Sequence, residues 1–228
     1  MPASRRFFVP LVPVMVIAAL AGCSSSGRSA DTRGITATEA SQFAQVVVRI
    51  DVKGSNFSAS GSGTLIDKRG YVLTCDNVVE NATTINVTTY DNQSYSATVQ
   101  KSDRTLDLAL LKLDSKQTDF PVATLGANSD IVIGGVVLAI GFRYENGVPS
   151  ASPVTTQGTV SSLSYVDGIT FIRNSAVTSP GSGCGCLITS SGKMVGIPSA
   201  VDESATATEE ANLAIPIDYA RTFLQGML

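Results

Sequence analysis

The chain has 228 residues, of which 43% are hydrophobic and 15% are charged, a composition that can bury a core and that excludes a wholly disordered protein. Its formal net charge is −3, from 16 basic and 19 acidic residues without a long run of either sign, which argues against a nucleic-acid partner. The sequence contains no histidine, so an intact Ser-His-Asp triad, a Cys-His dyad and histidine-ligated zinc are all excluded.

The N-terminus has the pattern of a secretion signal. Arg5 and Arg6 precede an apolar stretch, residues 7–21, which at about 15 residues is shorter than the ~20 that a membrane-spanning helix needs. The stretch ends in Leu-Ala-Gly-Cys, which resembles the lipobox of bacterial lipoproteins. That resemblance implies a signal peptide over residues 1–22, a lipid on Cys23, and a protein anchored in a membrane of the bacterial envelope and facing outside the cytoplasm. The alternative is an ordinary secretion signal with a chance cysteine.

A linker and a short helix are expected next. Residues 23–38 hold the lipidated cysteine and a stretch rich in Ser, Gly, Ala and Thr, which is typical of a flexible linker. A helix is predicted over Thr38–Gln45, with Glu39 in its first turn. We therefore expect one folded domain over residues 39–228.

Most of that domain is predicted to be strand. Short β-branched runs alternate with Gly, Asn and Asp turns, and the predicted strands are Val46–Val52, Gly63–Ile66, Tyr71–Thr74, Thr84–Tyr90, Tyr95–Gln100, Leu108–Leu113, Val136–Ile140, Thr155–Ser162, Ile169–Ile172, Leu187–Thr189, Met194–Pro198 and Leu213–Pro216. Strands this close together predict antiparallel barrels or a sandwich, not a βαβ sheet. A final helix is predicted over Asp218–Leu228, with Asp218 near its N-cap.

Several segments, in colinear order, resemble trypsin-like serine proteases of the HtrA/Deg type. They are Gly61–Asp67, Gly70–Thr74, Thr105–Lys112, Val137–Gly141, Ser179–Gly181, Gly192–Ile197 and Ala214–Pro216. The resemblance covers about residues 43–227. It implies an all-β fold of two antiparallel six-stranded β-barrels, with a short helix at each end of the domain and the catalytic cleft between the barrels.

The resemblance also assigns the catalytic positions, and two of the three lack the family's chemistry. The family's Thr-x-x-His-Val-Val reads Thr-Cys-Asp-Asn-Val-Val here, so the base position holds Asn77, whose amide cannot take a proton from a hydroxyl near neutral pH. Asp107 matches the orienting aspartate, and we expect it to hydrogen-bond locally, with Asn77 as the candidate partner. The nucleophile position holds Gly183, with Ser182 one residue early.

Three functions follow from this degenerate triad. In the first, an anchored and inactive protease homologue binds a protein or peptide partner in its cleft. Gly181 and Gly183 match the family's oxyanion-hole positions, so their loop could bind a carbonyl or carboxylate group of that partner. The alternative is that this loop serves packing alone. In the second, an endopeptidase keeps a residual or relocated nucleophile, Ser182 or Cys184. The third is a structural envelope lipoprotein. None of the three calls for a cofactor or a metal, and the oligomeric state stays open.

The remaining cysteines belong near the same centre by the resemblance. A disulfide from Cys75 to either Cys184 or Cys186 would join the two barrels across the cleft, and the thiol left over would then face a partner or form an intermolecular bond. Cys184 as a nucleophile would need a lowered thiol pKa, but neither Lys nor Arg lies within six residues of it. A three-thiolate metal site lacks an obvious fourth ligand.

Overall fold

A computed structural model of the chain describes residues 31–145, 148–166, 168–178, 182–199 and 212–227. The described residues form fifteen strands and three α-helices. The strands are β1 (Val47–Lys53), β2 (Ser58–Asp67), β3 (Tyr71–Thr74), β4 (Thr84–Thr88), β5 (Ser94–Asp103), β6 (Leu108–Leu113), β7 (Thr124–Leu125), β8 (Val136–Gly141), β9 (Tyr144–Glu145), β10 (Val148–Pro149), β11 (Val154–Val166), β12 (Ile169–Asn174), β13 (Cys186–Thr189), β14 (Lys193–Pro198) and β15 (Asn212–Pro216). The helices are α1 (Ala37–Ala44), α2 (Asp76–Val79) and α3 (Ile217–Phe223). The predicted signal peptide and Cys23 lie outside the described residues.

The first six strands close into a barrel in the order β1-β2-β3-β6-β5-β4, with every neighbouring pair antiparallel. Alternate residues of β1, namely Val48, Ile50 and Val52, are buried and point into this barrel. They pack with Leu65 and Leu111 from the facing strands. This period-two burial of β-branched side chains is what fixes the strand register, because a slip of one residue would turn all of them outward.

The second barrel has the order β13-β8-β11-β12-β15-β14 and is closed by the pairing of β13 with β14. The two-residue strand β7 is added in parallel to β14. Its interior contains Val137, Val160, Ile172, Leu187 and Val195. The predicted fold class of two antiparallel six-stranded barrels is therefore confirmed. A third cluster joins the barrels, since it contains side chains of both as well as of helix α3.

The helix ends differ from the predictions in ways that capping explains. Helix α1 begins at Ala37, because the Thr36 side chain accepts from the N–H of Glu39 and the Glu39 side chain accepts from the N–H of Thr36. Hydrogen bonds from Arg33 and from Thr36 lower the pKa of Glu39 to about 2. Helix α3 has Pro216 at its N-cap, and Asp218 lies in the first turn, near the cap as predicted and close to the positive end of the helix dipole.

The segment before α1 lies against the second barrel, so the predicted linker does not extend to residue 38. The N–H of Val136 donates to the Asp31 carbonyl at 3.2 Å, and the Ser190 hydroxyl donates to the Asp31 carboxylate at 2.7 Å. The N–H of Ile35 donates to the Gln157 side chain at 2.7 Å. These contacts hold residues 31–36 in place. None of the helices in the described part of the chain combines the length and the apolar character needed to cross a membrane.

A disulfide between Cys75 and Cys184 links the two barrels. Cys75 directly follows β3 of the first barrel and is the N-cap residue of α2, whereas Cys184 lies two residues before β13 of the second barrel. Their Cα atoms are 5.3 Å apart and 109 positions separate them in sequence. Cross-linking so distant a pair restricts the unfolded chain strongly, a contribution of about 2–4 kcal/mol in typical proteins.

We predict that reduction of this bond lowers the melting temperature, since the unfolded state regains the entropy of the open loop. Cys75→Ala should abolish that response to reductant and lower the free energy of unfolding by about 2–4 kcal/mol. Cys186→Ala is the matched control, because it removes a buried sulfur but leaves the bond, and it should keep the response. Thermal denaturation with and without reductant measures the effect, and a response that survives in Cys75→Ala contradicts the pairing.

Candidate active site

Asn77, which the resemblance assigns to the base position, has an amide that acts as a hydrogen-bond donor. Asn77 lies in the four-residue helix α2, directly after the strand that ends at Thr74. Its side-chain Nδ2 donates to Oδ2 of Asp107 at 3.1 Å, and its backbone N–H donates to Oδ1 of the same carboxylate at 2.9 Å. The expected hydrogen bond between the two side chains is present. An amide in this position supplies no group that can accept a proton from a nucleophile.

Asp107 serves the fold at this site. Its half-buried carboxylate accepts hydrogen bonds from the backbone N–H groups of Asp76 and Asn77. These are the first two N–H groups of helix α2, and they have no acceptor within the helix. Asp107 itself has a φ of 51°, a left-handed conformation that aspartate tolerates better than most residues. The carboxylate therefore ties the start of β6 to the N-terminus of α2.

The ionised form of Asp107 carries an energetic cost. Burial raises the pKa of its carboxyl, with smaller raising effects from the nearby carboxylates of Asp76 and Glu80, while the hydrogen bond from the Asn77 backbone acts in the opposite sense. The folded state thus holds this proton more tightly than the unfolded state does. The cost is present at neutral pH and is relieved as the pH falls through the raised pKa.

Two acidic residues and one arginine surround this pair. Arg104 contacts Asp76 at 3.7 Å between Nε and Oδ2, and it contacts Glu80 at 2.7 Å. Asp76 is almost fully buried, whereas Arg104 is exposed. With Asp107, the cluster contains three carboxylates and one guanidinium, so the first-barrel side of the site is acidic. Sequence reasoning had not singled out Asp76, Glu80 or Arg104; the only local signal was an acidic first turn after a strand.

The nucleophile position has room for a side chain that the sequence does not supply. A Cβ atom added to Gly183 would meet only the Pro198 carbonyl oxygen, at 3.7 Å, which is ordinary contact. In contrast, a Cβ at Gly185 would lie 2.0 Å from the Ile140 carbonyl oxygen. No residue in the described ranges accepts a hydrogen bond from the backbone N–H of Gly183. Gly181, the other predicted oxyanion-hole residue, lies outside those ranges.

Neither alternative nucleophile is in a form suited to attack. Ser182 is only 7% exposed, and its carbonyl packs against Gly141, where an added Cβ would lie 2.1 Å from that oxygen. The sulfur of Cys184 is bonded to Cys75, so no thiolate is available there. Cys184 has a φ of 66°, a left-handed conformation that favours glycine, and its N–H donates to the Pro198 carbonyl at 2.7 Å. The disulfide consumes the candidate thiol and holds its strained backbone.

The expectation that the remaining thiol faces a partner is wrong. Cys186 is the first residue of β13, pairs with Ile140 of β8, and is fully buried in the cluster between the barrels. Burial raises the pKa of its thiol to about 12, so the thiolate is scarce at neutral pH. Because two of the three sulfurs are joined to each other, a three-thiolate metal site is also not available.

Comparison with known proteins agrees with this geometry. The family model described as trypsin-like peptidase domain matches residues 61–197. The chain is 35% identical over 170 residues to serine protease HTR4 of Rattus norvegicus, which covers 73% of this chain and 34% of that protein. It is 35% identical over 164 residues to a probable periplasmic serine endoprotease DegP-like of Hahella chejuensis, covering 71% of this chain and 34% of the relative. The chain thus spans about a third of the length of these relatives.

Two of the solved structures that superpose on this chain are also proteases. The structure titled HtrA-type protease AlgW with tripeptide superposes with a TM-score of 0.72 at 30% identity, covering 82% of this chain and 61% of that one. A serine endoprotease from Yersinia pestis superposes with a TM-score of 0.67 at 31% identity, covering 80% and 64% of the two chains. The two barrels, the colinear motifs and these relatives together establish that the chain belongs to the trypsin-like peptidase domain family and is of the HtrA/Deg type.

Proposed function

We propose that this chain is a catalytically inactive homologue of the HtrA/Deg-type proteases that binds a protein or peptide in its cleft and is anchored to a membrane by a lipid on Cys23. The observation that carries the proposal is the Asn77–Asp107 pair. In it the aspartate is engaged by an amide and by two backbone N–H groups, and no imidazole exists anywhere in the chain to replace the base.

The loss of catalysis follows because the Asn77 amide cannot accept the proton of a nucleophilic hydroxyl near neutral pH. Attack by a serine hydroxyl on a peptide carbonyl requires that the hydroxyl proton be accepted as the bond forms. Asn77 donates its side-chain hydrogen to Asp107 and offers only a weakly basic amide oxygen. Removing a general base costs about 10²–10⁴-fold in rate, and the absence of a hydroxyl at Gly183 removes the covalent step as well.

Binding is the function that the remaining geometry supports. The backbone N–H of Gly183 has no acceptor among the described residues, and the space beside it is open. A peptide carbonyl or a carboxylate is the natural acceptor for such a group. The disulfide at the neighbouring Cys184 fixes this loop to the first barrel, which lowers the conformational entropy lost when a ligand binds.

Reactivity toward a fluorophosphonate probe tests the inactivity. We predict that the full chain in detergent is neither labelled by the probe nor able to digest casein, whereas the double variant Asn77→His/Gly183→Ser is labelled at position 183. The reason is that Asp107 is already placed beside position 77 and that position 183 accepts a Cβ without a clash. Labelling of the double variant should exceed that of either single variant by about 10²-fold or more. Mass spectrometry locates the labelled residue.

Ser182→Ala is the matched control for this experiment. Labelling of the wild-type chain that disappears in Ser182→Ala would contradict the proposal and would establish a relocated serine nucleophile. A double variant that stays unlabelled would mean that the loop around position 183 does not have the geometry of the active family.

Lipid anchoring is supported by the Leu-Ala-Gly-Cys segment at residues 20–23. Seven residues separate Cys23 from Asp31, whose carbonyl accepts a hydrogen bond from Val136 of the second barrel. At about 3.3–3.6 Å per residue, so short a segment would keep the barrels within ~30 Å of the bilayer surface.

We predict that Cys23→Ser moves the protein from the membrane fraction to the soluble fraction, since the lipid is attached to that sulfur. Cys186→Ala is the matched cysteine control and should leave the protein in the membrane fraction. Fractionation of cell envelopes followed by immunodetection measures the distribution. Retention of Cys23→Ser in the membrane would mean that the lipobox assignment fails.

A further inference from the structure

A separate cavity lies on the first barrel, away from the cleft. It has a volume of about 180 Å³ and is formed by the turn between β4 and β5, the loop after β6 and the residue that follows α1. The residues that matter for recognition are Gln45, Tyr90, Asp91, Tyr95, Gln117 and Phe120. Its volume is below the about 300–1,000 Å³ of sites for drug-sized ligands, so it suits a ligand of a single ring.

The cavity and the degenerate site are at opposite ends of β3. Phe120 lies close to Gly70, at the turn before this strand, and its N–H donates to the Lys68 carbonyl at 3.3 Å. The other end of the strand, Thr74, leads directly into the helix that contains Asn77. A ligand in the cavity would therefore leave the cleft free.

The walls of the cavity are held by internal contacts. The Thr89 hydroxyl donates to Oδ1 of Asp91 at 2.6 Å, and the Thr89 N–H donates to the Gln93 carbonyl at 2.9 Å, which fixes the turn. The rings of Tyr95 and Phe120 meet edge to face with centroids 5.5 Å apart. Because these contacts are formed within the protein itself, little order has to be gained on binding.

The chemistry of the lining combines an aromatic wall with hydrogen-bonding groups. Tyr90 is 41% exposed and presents ring surface to solvent. The Tyr95 hydroxyl donates to Oε1 of Gln117 at 3.2 Å, which leaves the Gln117 Nε2 hydrogens available. The second carboxylate oxygen of Asp91 and the side-chain amide of Gln45 make no hydrogen bond to any described residue. The site thus offers both donors and acceptors around an apolar surface.

We propose that this cavity binds one ring of a neutral saccharide. A pyranose has a C–H face that packs on an aromatic ring, and its hydroxyls both donate and accept, so they match the amides and the carboxylate around Tyr90. An anionic ligand is disfavoured, because Asp91 is the charged residue of the lining and no cation accompanies it there. A proline ring, the other common partner of aromatic pockets, has one carbonyl and no hydroxyl, so it would leave the polar groups unpaired.

Titration of the ¹⁵N-labelled full chain, in a detergent without a sugar headgroup, tests the proposal. The probes are the neutral trisaccharides N,N′,N″-triacetylchitotriose, cellotriose and maltotriose, with a decaproline peptide as the competing class. We expect at least one trisaccharide to produce saturable amide shifts at residues 89–91 at millimolar concentration. Tyr90→Ala should raise the Kd by about tenfold or more, and Asp91→Asn should weaken binding as well.

Tyr165→Ala is the matched control, because Tyr165 is a tyrosine of β11 that is 75% exposed and lies outside the cavity. It should leave the Kd unchanged. The proposal is overturned if no trisaccharide gives saturable shifts, if the shifts persist unaltered in Tyr90→Ala, or if decaproline alone binds at these residues. None of these readouts depends on the cleft or on the lipid anchor.

Discussion

The hydrogen bonds that Asp107 accepts from the start of helix α2 are the interaction on which the rest of the site depends. The carboxylate receives the N–H groups of Asp76 and Asn77 and the side-chain amide of Asn77, so its charge is compensated by local dipoles alone. In a triad the same carboxylate would stabilise an imidazolium as it forms. Here no such cation arises, and burial of the carboxyl raises its pKa. In this structure the Asp107 carboxylate caps helix α2, which gives it a structural role that does not require catalysis.

The disulfide fixes the backbone of the second barrel beside the cleft, as the hydrogen bonds of Asp107 fix the backbone of the first. Cys184 occupies a left-handed backbone position that glycine would adopt freely, and the bond to Cys75 sets that segment against the first barrel. The N–H of the neighbouring Gly183 has no acceptor among the described residues, and the space beside it is open. In the proposed function, both sides of the cleft lack catalytic groups, while the disulfide and the Cys184 hydrogen bond fix the backbone beside Gly183. Such an arrangement favours retention of a ligand over its turnover.

The sequence predicted the strands well because β-branched alternation is a local signal, and all twelve predicted strands overlap strands of the structure. That pattern left barrels and a sandwich open, and the two six-stranded barrels were predicted from the family resemblance. The two-residue strands β7, β9 and β10 were missed, since so short a pairing leaves no periodic pattern. The strand predicted over Thr84–Tyr90 ends at Thr88, where the Thr89 hydroxyl begins the turn.

The choice between Cys184 and Cys186 could not be made from motifs, because it depends on which cysteine lies in the strand. Cys186 is the first residue of β13 and is buried, whereas Cys184 precedes that strand. The charged groups around Asp107 could not be predicted from the sequence either. The turn after β5 brings Arg104 into contact with Asp76 and Glu80, which lie more than twenty positions earlier in the sequence.

The central claim is that the cleft holds a polypeptide without cutting it, and the amide resonance of Gly183 reports on it most directly. In a titration of the ¹⁵N-labelled chain with unfolded β-casein, that resonance should move downfield and saturate, while the amide of Gly54, on the loop between β1 and β2, stays in place. Mass spectrometry of the same sample should find the casein intact. Cleavage products whose amount grows with time would contradict the claim, as would a Gly183 resonance that does not respond at any casein concentration.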